Sequence, residues 1–383
     1  AVLTRFSIGK WLVVDSCVDQ QRQCMQLAFH WQLGVDIATD AVCVCCTHWH
    51  DDHIKGMCQL LEECSNITKF CMAIPDDREN FLYAFGQIDE MHREQSPSKG
   101  IMEILELIAK KNIPVKRIIQ DQTICQVTPI DKCIALSPSQ ADLNQFLREL
   151  ATEIDTEERV EIQKKRLSEI PDSEIINAED VLPEAYVEIP EAQIETEQLP
   201  MKKNSKWHLA KVNERSVALL LDLGGHIVIL GGDLENGSQG HGWQAVMEES
   251  ECLGDNIAEA YKIAHHGSKN GYCEEFIKKH LSSECIGKMS TWFLGDGVLP
   301  EDEMIDVYFD AMSQLYITSK PVRKRKFYVP VPELRKFIKE CTEDVVELSN
   351  EVGIIQSRLD TSEPTSKWRT KCFGSAYRLK GEE

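Results

Sequence analysis

An apolar run that ends in a dense set of metal-ligand side chains constrains this chain more than any other feature. Residues Ala41 to Cys46 are strand-like, and after Thr47 the sequence reads His48-Trp49-His50-Asp51-Asp52-His53. A strand end feeding a tight turn can point His48 and His50 at one ion. It can then point Asp52 and His53 at a second ion beside the first. Lys55-Gly56 opens a helix immediately behind. Mixed imidazole and carboxylate ligation suits zinc, manganese or iron, and it leaves a coordination position open for water.

Two further strand ends carry ligand types. The apolar run Ile227 to Leu230 ends in Gly231-Gly232-Asp233, and Tyr261 to Ala264 leads into His265-His266-Gly267-Ser268. A carboxylate at Asp233 can bridge two ions, and an imidazole near residue 266 can complete the second site. Each piece alone is a modest signal. Their order behind the first motif makes them specific together.

These residues resemble the metallo-β-lactamase superfamily of metallohydrolases, and most of all the hydrolase domain of ComEC-type DNA-uptake proteins and their free-standing relatives. The resemblance spans roughly residues 1 to 295. It rests on Asp15 after the strand Trp11 to Val14, the HWHDDH motif, Asn213 ahead of the strand Ser216 to Asp222, the Gly-Gly-Asp at 231–233 and Lys262 to Ser268. It implies an α/β fold, a four-layer αββα sandwich with metals at one edge. Two divalent metals, zinc or manganese, are implied, with a single ion as the reduced case. Their ligands would be His48, His50, Asp52, His53, Asp233 and His266, the last matched to the terminal ligand in preference to His265. Asp15 would be the carboxylate that orients the motif. One position departs from the pattern. Where a ComEC-type chain tends to have His-Pro after a strand, this one has Ser137-Pro138 after Cys133 to Leu136. His208 and His226 lie in the right interval without the usual context, so the first metal is expected to have fewer protein ligands.

The implied chemistry is hydrolysis. A metal-held water loses its proton near neutral pH and becomes a nucleophile. Open metal positions stabilise the charge that develops on a phosphodiester, ester or amide oxygen. Asp52 would hold a metal and the incoming water, His265 or Ser268 would position the leaving group, and Lys269 would pair a phosphate. Trp49 is either a pocket wall or core packing.

The resemblance favours phosphodiester hydrolysis of nucleic acid, DNA first. The net charge of −21 opposes this, because phosphate neutralisation needs Lys and Arg. Lys320, Arg323, Lys324, Arg325 and Lys326 form the one compact basic patch and are the candidate nucleic-acid contacts. A protein partner, such as an ATPase or NTPase or a sensor subunit of a defence-type (antiviral) assembly, would be another way to deliver substrate. This is an analogy that fold alone does not secure. Two other classes stay open: a hydrolase of small phosphoesters, cyclic nucleotides, lactones or other esters, and a non-catalytic scaffold with the same fold.

Charge also divides the chain. Residues 149–200 hold 16 acidic and 4 basic side chains, more than half of the net negative charge, and they interrupt the hydrolase pattern. Their first part extends a helix-spaced stretch, Leu143 to Leu167, and the rest is punctuated by Pro171, Pro183, Pro190 and Pro200. The expected organisation is therefore residues 1–148 and 201–299 as two halves of a metallohydrolase domain. Residues 149–200 form an acidic insertion and 300–383 a C-terminal α/β appendage.

Helices are expected behind Gly56, from Ser98 to Lys111, from Gly271 to His280 and from Pro332 to Asn350. The runs 216–222 and 226–231 meet at Gly224-Gly225, which reads as a hairpin. No apolar run reaches about 18 residues, so no transmembrane helix and no membrane partner are expected. No signal peptide is expected from Ala1 to Ser7, and a short piece is expected to precede this numbering. The 15 cysteines are scattered and odd in number, without paired C-x-x-C groups. They read as small buried hydrophobes in a reducing, cytoplasmic setting.

Overall fold

Strand β2 (Trp11–Val14) is apolar at every position because both of its faces are covered. The computed structural model describes residues 1–6, 10–18, 24, 42–74, 100–126, 128–153, 212–238, 240–294, 297–321, 352–360 and 367–380. Most of the expected acidic insertion (154–200), His208, Arg323 to Lys326 and the helix expected at 332–350 lie outside the described residues. The chain is mixed α/β and divides into two compact units, Ala1–Ile257 and Ala258–Glu383.

In the first unit a five-stranded sheet runs in the order β1 (Val2–Arg5), β2, β3 (Val42–Cys46), β4 (Ile67–Met72), β5 (Val115–Arg117). β1 is antiparallel to β2, and β2 to β5 are parallel. Trp11, Val13, Val44, Cys46, Phe70 and Met72 point to one face. There they pack against α2 (Met57–Glu63), through Met57, Leu60 and Leu61, and against α3 (Ile101–Lys110), through Ile104, Leu105 and Ile108.

The alternate residues Leu12, Val14, Cys43, Cys45 and Cys71 form the other face. They meet an antiparallel meander of β6 (Thr123–Gln126), β7 (Asp131–Ala135), β8 (Leu219–Leu223) and β9 (His226–Leu230). Period-two alternation thus splits one apolar run between two cores. Each fully buried Leu or Val contributes about 1.5–3 kcal/mol. The result within this unit is a helix–sheet–sheet layering. Gly224 and Gly225 turn β8 into β9 with φ of 68° and 97°, the left-handed conformation that a two-residue hairpin requires. The expected helix at Leu143 begins earlier, as α4 (Gln140–Glu153).

In the second unit β10 (Ala258–Lys262), β11 (Leu281–Met289) and β14 (Gln314–Ile317) are parallel, with β17 (Tyr377–Lys380) antiparallel to β14. The connections are α5 (Glu274–His280) and α6 (Asp302–Ala311). Phe276 of α5 packs on Tyr261 of β10, ring centroids 5.4 Å apart. A short strand, β12 (Trp292–Leu294), pairs only with β13 (Gly297–Leu299) among the described residues.

Strand β11 escaped sequence reading because Ser282, Ser283, Glu284 and Gly287 have low strand preference. Gly287 is there for space: a Cβ would collide with the Met312 sulfur. β15 (Ile354–Arg358) and β16 (Arg369–Phe373) pair antiparallel. No helix among the described residues is long and apolar enough to cross a membrane.

Candidate metal centre

Asp15 follows β2 and anchors the whole motif. Its carboxylate accepts the Thr47 amide at 2.7 Å on Oδ1 and the Thr47 hydroxyl at 2.8 Å on Oδ2. The same Oδ2 lies 2.7 Å from His53 Nδ1. Asp15 adopts φ 58°, an uncommon conformation for a residue with a Cβ, while its amide bonds Cys45 O. That turn swings the side chain under the end of β3.

The motif itself then folds back. His53 and Ile54 amides both bond His50 O, which forms the single helical turn α1 (Asp51–Ile54) and carries Asp52 and His53 on it. Gly56 closes the turn at φ 86°, where a Cβ would lie 2.9 Å from Val18 Cγ1 and 3.0 Å from Ser16 Oγ. Both backbone conformation and space therefore demand glycine.

Asp233 arrives from β9 through Gly231-Gly232. Gly232 has φ 54°, and a Cβ there would stand 2.6 Å from Val217 O. This close approach explains the Gly-Gly-Asp sequence. The Asp233 amide donates to Ser216 Oγ at 3.0 Å, and that hydroxyl also lies 3.3 Å from His48 Nδ1. The Val217 amide bonds Thr47 O, which ties β8 to the motif.

Three ligand atoms of this unit converge. His53 Nε2 is 3.1 Å from Asp233 Oδ2 and 3.6 Å from Asp52 Oδ2. The ligand atoms of Asp52, His53 and Asp233 all lie within 4.8 Å of one another, so these buried and half-buried side chains could hold a metal ion. Asp233 is 2% exposed and Asp15 4%. With Nδ1 engaged by Asp15, the His53 ring presents Nε2 to the two other carboxylates, the usual carboxylate–histidine–metal arrangement. Burial alone would depress His53, but Asp233 and Asp15 outweigh it and push the imidazole up to about 10.

His48 and His50 form a second pair. His48 Nε2 and His50 Nδ1 are 3.1 Å apart, with ring centroids 4.7 Å apart at 81°. Burial, and then the neighbouring imidazole of His53, hold His48 well below the usual histidine range.

Ser137, which stands where the resemblance leads one to expect histidine, knits strands instead. Its hydroxyl donates to Ser216 O at 2.6 Å and accepts the Ala218 amide at 2.8 Å. His226 pairs with Leu223 at the hairpin, the end of β9 remote from Asp233.

Sequence reasoning missed Thr47 and Ser216, the hydroxyls that fix His48. It also missed Arg215, whose guanidinium lies 4.9 Å over the Phe146 ring, beside Trp49, in a small cavity that Thr47 and His48 also line. Thr47 alone had a local signal, its place directly before the motif. Trp49 both lines that cavity and packs on Phe146 at 5.4 Å.

The second unit carries the remaining candidates. His265 and His266 have φ of 43° and 54°, and Gly267 has 74°. His266 is buried, and its Nδ1 lies 3.0 Å from Ser290 Oγ, which fixes the ring with Nε2 as its other nitrogen. Ser268 Oγ lies 2.9 Å from His265 Nδ1 and accepts the Gly271 amide, so it holds this turn together. Lys269 is exposed. Lys320 is the one residue of the basic cluster that is described, and it is exposed too.

No protein-family model matches the chain, and no curated protein matches it in sequence.

Proposed function

We propose that this chain is a metallohydrolase with a four-layer metallo-β-lactamase sandwich, and that it cleaves phosphodiesters in nucleic acid, DNA first. One observation carries the reading: a buried histidine, His53, clamped between Asp15 and Asp233 with Asp52 beside it. His48 and His50 would hold one divalent ion. Asp52 and His53 would hold a second, with Asp233 between the two. His266 is assigned to the second ion from its place in the motif order. Zinc or manganese bound there supplies Lewis acidity and an activated water.

The chain's own residues do the rest. Asp15 keeps His53 in one tautomer and one orientation. Thr47 and Ser216 do the same for His48. Asp52 is the group placed to orient the incoming water. His265, Ser268 and Lys269 are proposed on the substrate side, for the leaving group and a phosphate. The basic cluster from Lys320 to Lys326 is proposed to bind the phosphate backbone. An ATPase or sensor partner in a defence-type assembly fits the acidic charge balance, since a strongly negative chain needs help to hold DNA.

The test is incubation of the purified, metal-loaded chain with DNA, RNA and a chromogenic phosphodiester, in Mn²⁺ and in Zn²⁺. Cleavage of DNA that disappears in His50→Ala is expected. Arg323→Ala with Lys324→Ala and Arg325→Ala should raise KM for DNA and lower the salt slope, while the small phosphodiester is cleaved as before. The net charge of −21 favours a second reading, a hydrolase of small phosphoesters or cyclic nucleotides. Cleavage of those alone would select it, and loss of all cleavage with metal bound would select a scaffold.

A further inference from the structure

A second cluster of reactive side chains lies in the interior of the first unit. Cys43, Cys71, Cys125 and Cys133 meet in the core between its two sheets. Cys43 Sγ and Cys71 Sγ are 3.8 Å apart. Cys125 lies against both Cys43 and Cys133. Cys125 and Cys133 are also cross-strand partners on β6 and β7, beside a shift of register between Thr123 and Cys125. Opposed residues on antiparallel strands have Cα atoms about 4.5–5.5 Å apart. That falls within the roughly 4.4–6.8 Å that a disulfide spans.

The four thiols are not equivalent. β6 is the terminal strand of its sheet, and Cys125 and Cys43 are 6% and 5% exposed, whereas Cys71 and Cys133 are fully enclosed. Two ammonium groups sit on the backbone beside Cys125. Lys69 Nζ bonds Ile124 O at 3.3 Å, and Lys116 Nζ bonds Thr123 O at 2.7 Å. Flanking cations favour the thiolate, the reactive form. Contacts from the Cys133 and Cys43 thiols, aided by both lysines against the opposing effect of burial, draw Cys125 down to about 4. Burial and the contact with Cys125 push Cys133 well above the usual thiol range.

We propose that Cys125 is a site of oxidation by hydroperoxides, and that Cys133 resolves the product across the strand pair as an intramolecular disulfide. In the first step the Cys125 sulfur attacks the peroxide. An S–O bond forms, the O–O bond breaks, and the leaving oxygen takes up a proton as the alcohol or as water. In the second step the Cys133 sulfur attacks that of Cys125. The S–S bond forms, the S–O bond breaks, and the Cys133 proton leaves with the hydroxyl as water. Two thiols lose two electrons and the hydroperoxide gains them.

The full chain is treated with hydrogen peroxide, blocked with an alkylating agent, digested without reductant and mapped by mass spectrometry. A peptide bridged between Cys125 and Cys133 is expected before any other bridge. In Cys133→Ala the bridge should vanish and Cys125 should carry a sulfenic acid that dimedone traps. If that variant does not fold, alkylation rates of individual cysteines in the unaltered chain decide. Cys125 should react at least about tenfold faster than Cys43 and Cys133 at neutral pH. Three results overturn the proposal: Cys125 staying reduced while other cysteines oxidise, a bridge from Cys125 to a different cysteine, or alkylation of Cys125 no faster than its neighbours.

Discussion

Strand β3 contributes to two clusters. Toward its middle, Cys43 and Cys45 enter the apolar seam between the two sheets, while beyond its end Thr47, His48, Asp52 and His53 enter a polar site with Asp15 and Asp233. The seam is held by burial of small apolar and thiol side chains. The polar site is held by charge and directed hydrogen bonds, where one deletion strands its partners. Mid-strand positions are covered on both faces. Strand ends leave backbone and side chains open to build a site, which is where ligands gather in sheet proteins.

That contrast sets the order of expected effects. Asp15→Ala should be the most damaging change, about 3–5 kcal/mol, because it leaves His53 and Thr47 buried without their acceptor. Chemical denaturation measures it, and metal affinity should fall with it. A loss below about 1 kcal/mol would mean that Asp15 is incidental.

pH should act in opposite directions on the metal-free and metal-bound forms. His53 rises from 6.5 unfolded to about 10 folded. Its protonated form therefore stabilises the metal-free protein fully below pH 6.5, and that contribution is lost as pH rises toward 10. Metal retention should strengthen across the same window, because the ion must displace that proton. Thermal melts with and without chelator separate the two trends. Parallel trends would break the link between His53 and the ion.

Gly232→Ala should cost about 2–3 kcal/mol, from the left-handed backbone and the collision with Val217 O, and should misplace Asp233. Ser137→Ala should cost about 1–2 kcal/mol by leaving the Ala218 amide without its acceptor. Metal content should stay unchanged there, since Ser137 reaches the site only through Ser216. The smallest effects belong to the seam. Cys71→Ala should cost about 1 kcal/mol and leave metal content untouched. A loss of metal in Cys71→Ala would erase the distinction between the two clusters.

The polar cluster was largely legible in sequence because its members come in short motifs. HWHDDH is contiguous, Gly-Gly-Asp announces a close approach, and Asp15 directly follows an apolar strand. The seam was not legible. Cys43, Cys71, Cys125 and Cys133 are spread over four strands, and only register and sheet pairing bring them together. Strand positions were legible where the runs are apolar or nearly so, as in β2, β3 and β9. It failed at β11, where Gly287 is selected by the space under Met312 instead of by strand preference. Ser137 shows the converse limit. Its departure from histidine was visible, but the pair of strand-tying hydrogen bonds that it makes depends on β8, some 80 residues further along.

The most direct test of the account is the metal content of the purified full chain, measured by elemental mass spectrometry beside the double variant Asp52→Ala/His53→Ala. The account expects about one or two equivalents of zinc or manganese in the unaltered chain and a clear loss in a double variant that remains folded. Full occupancy in that variant, or no bound metal in the unaltered chain after saturation and desalting, would contradict it.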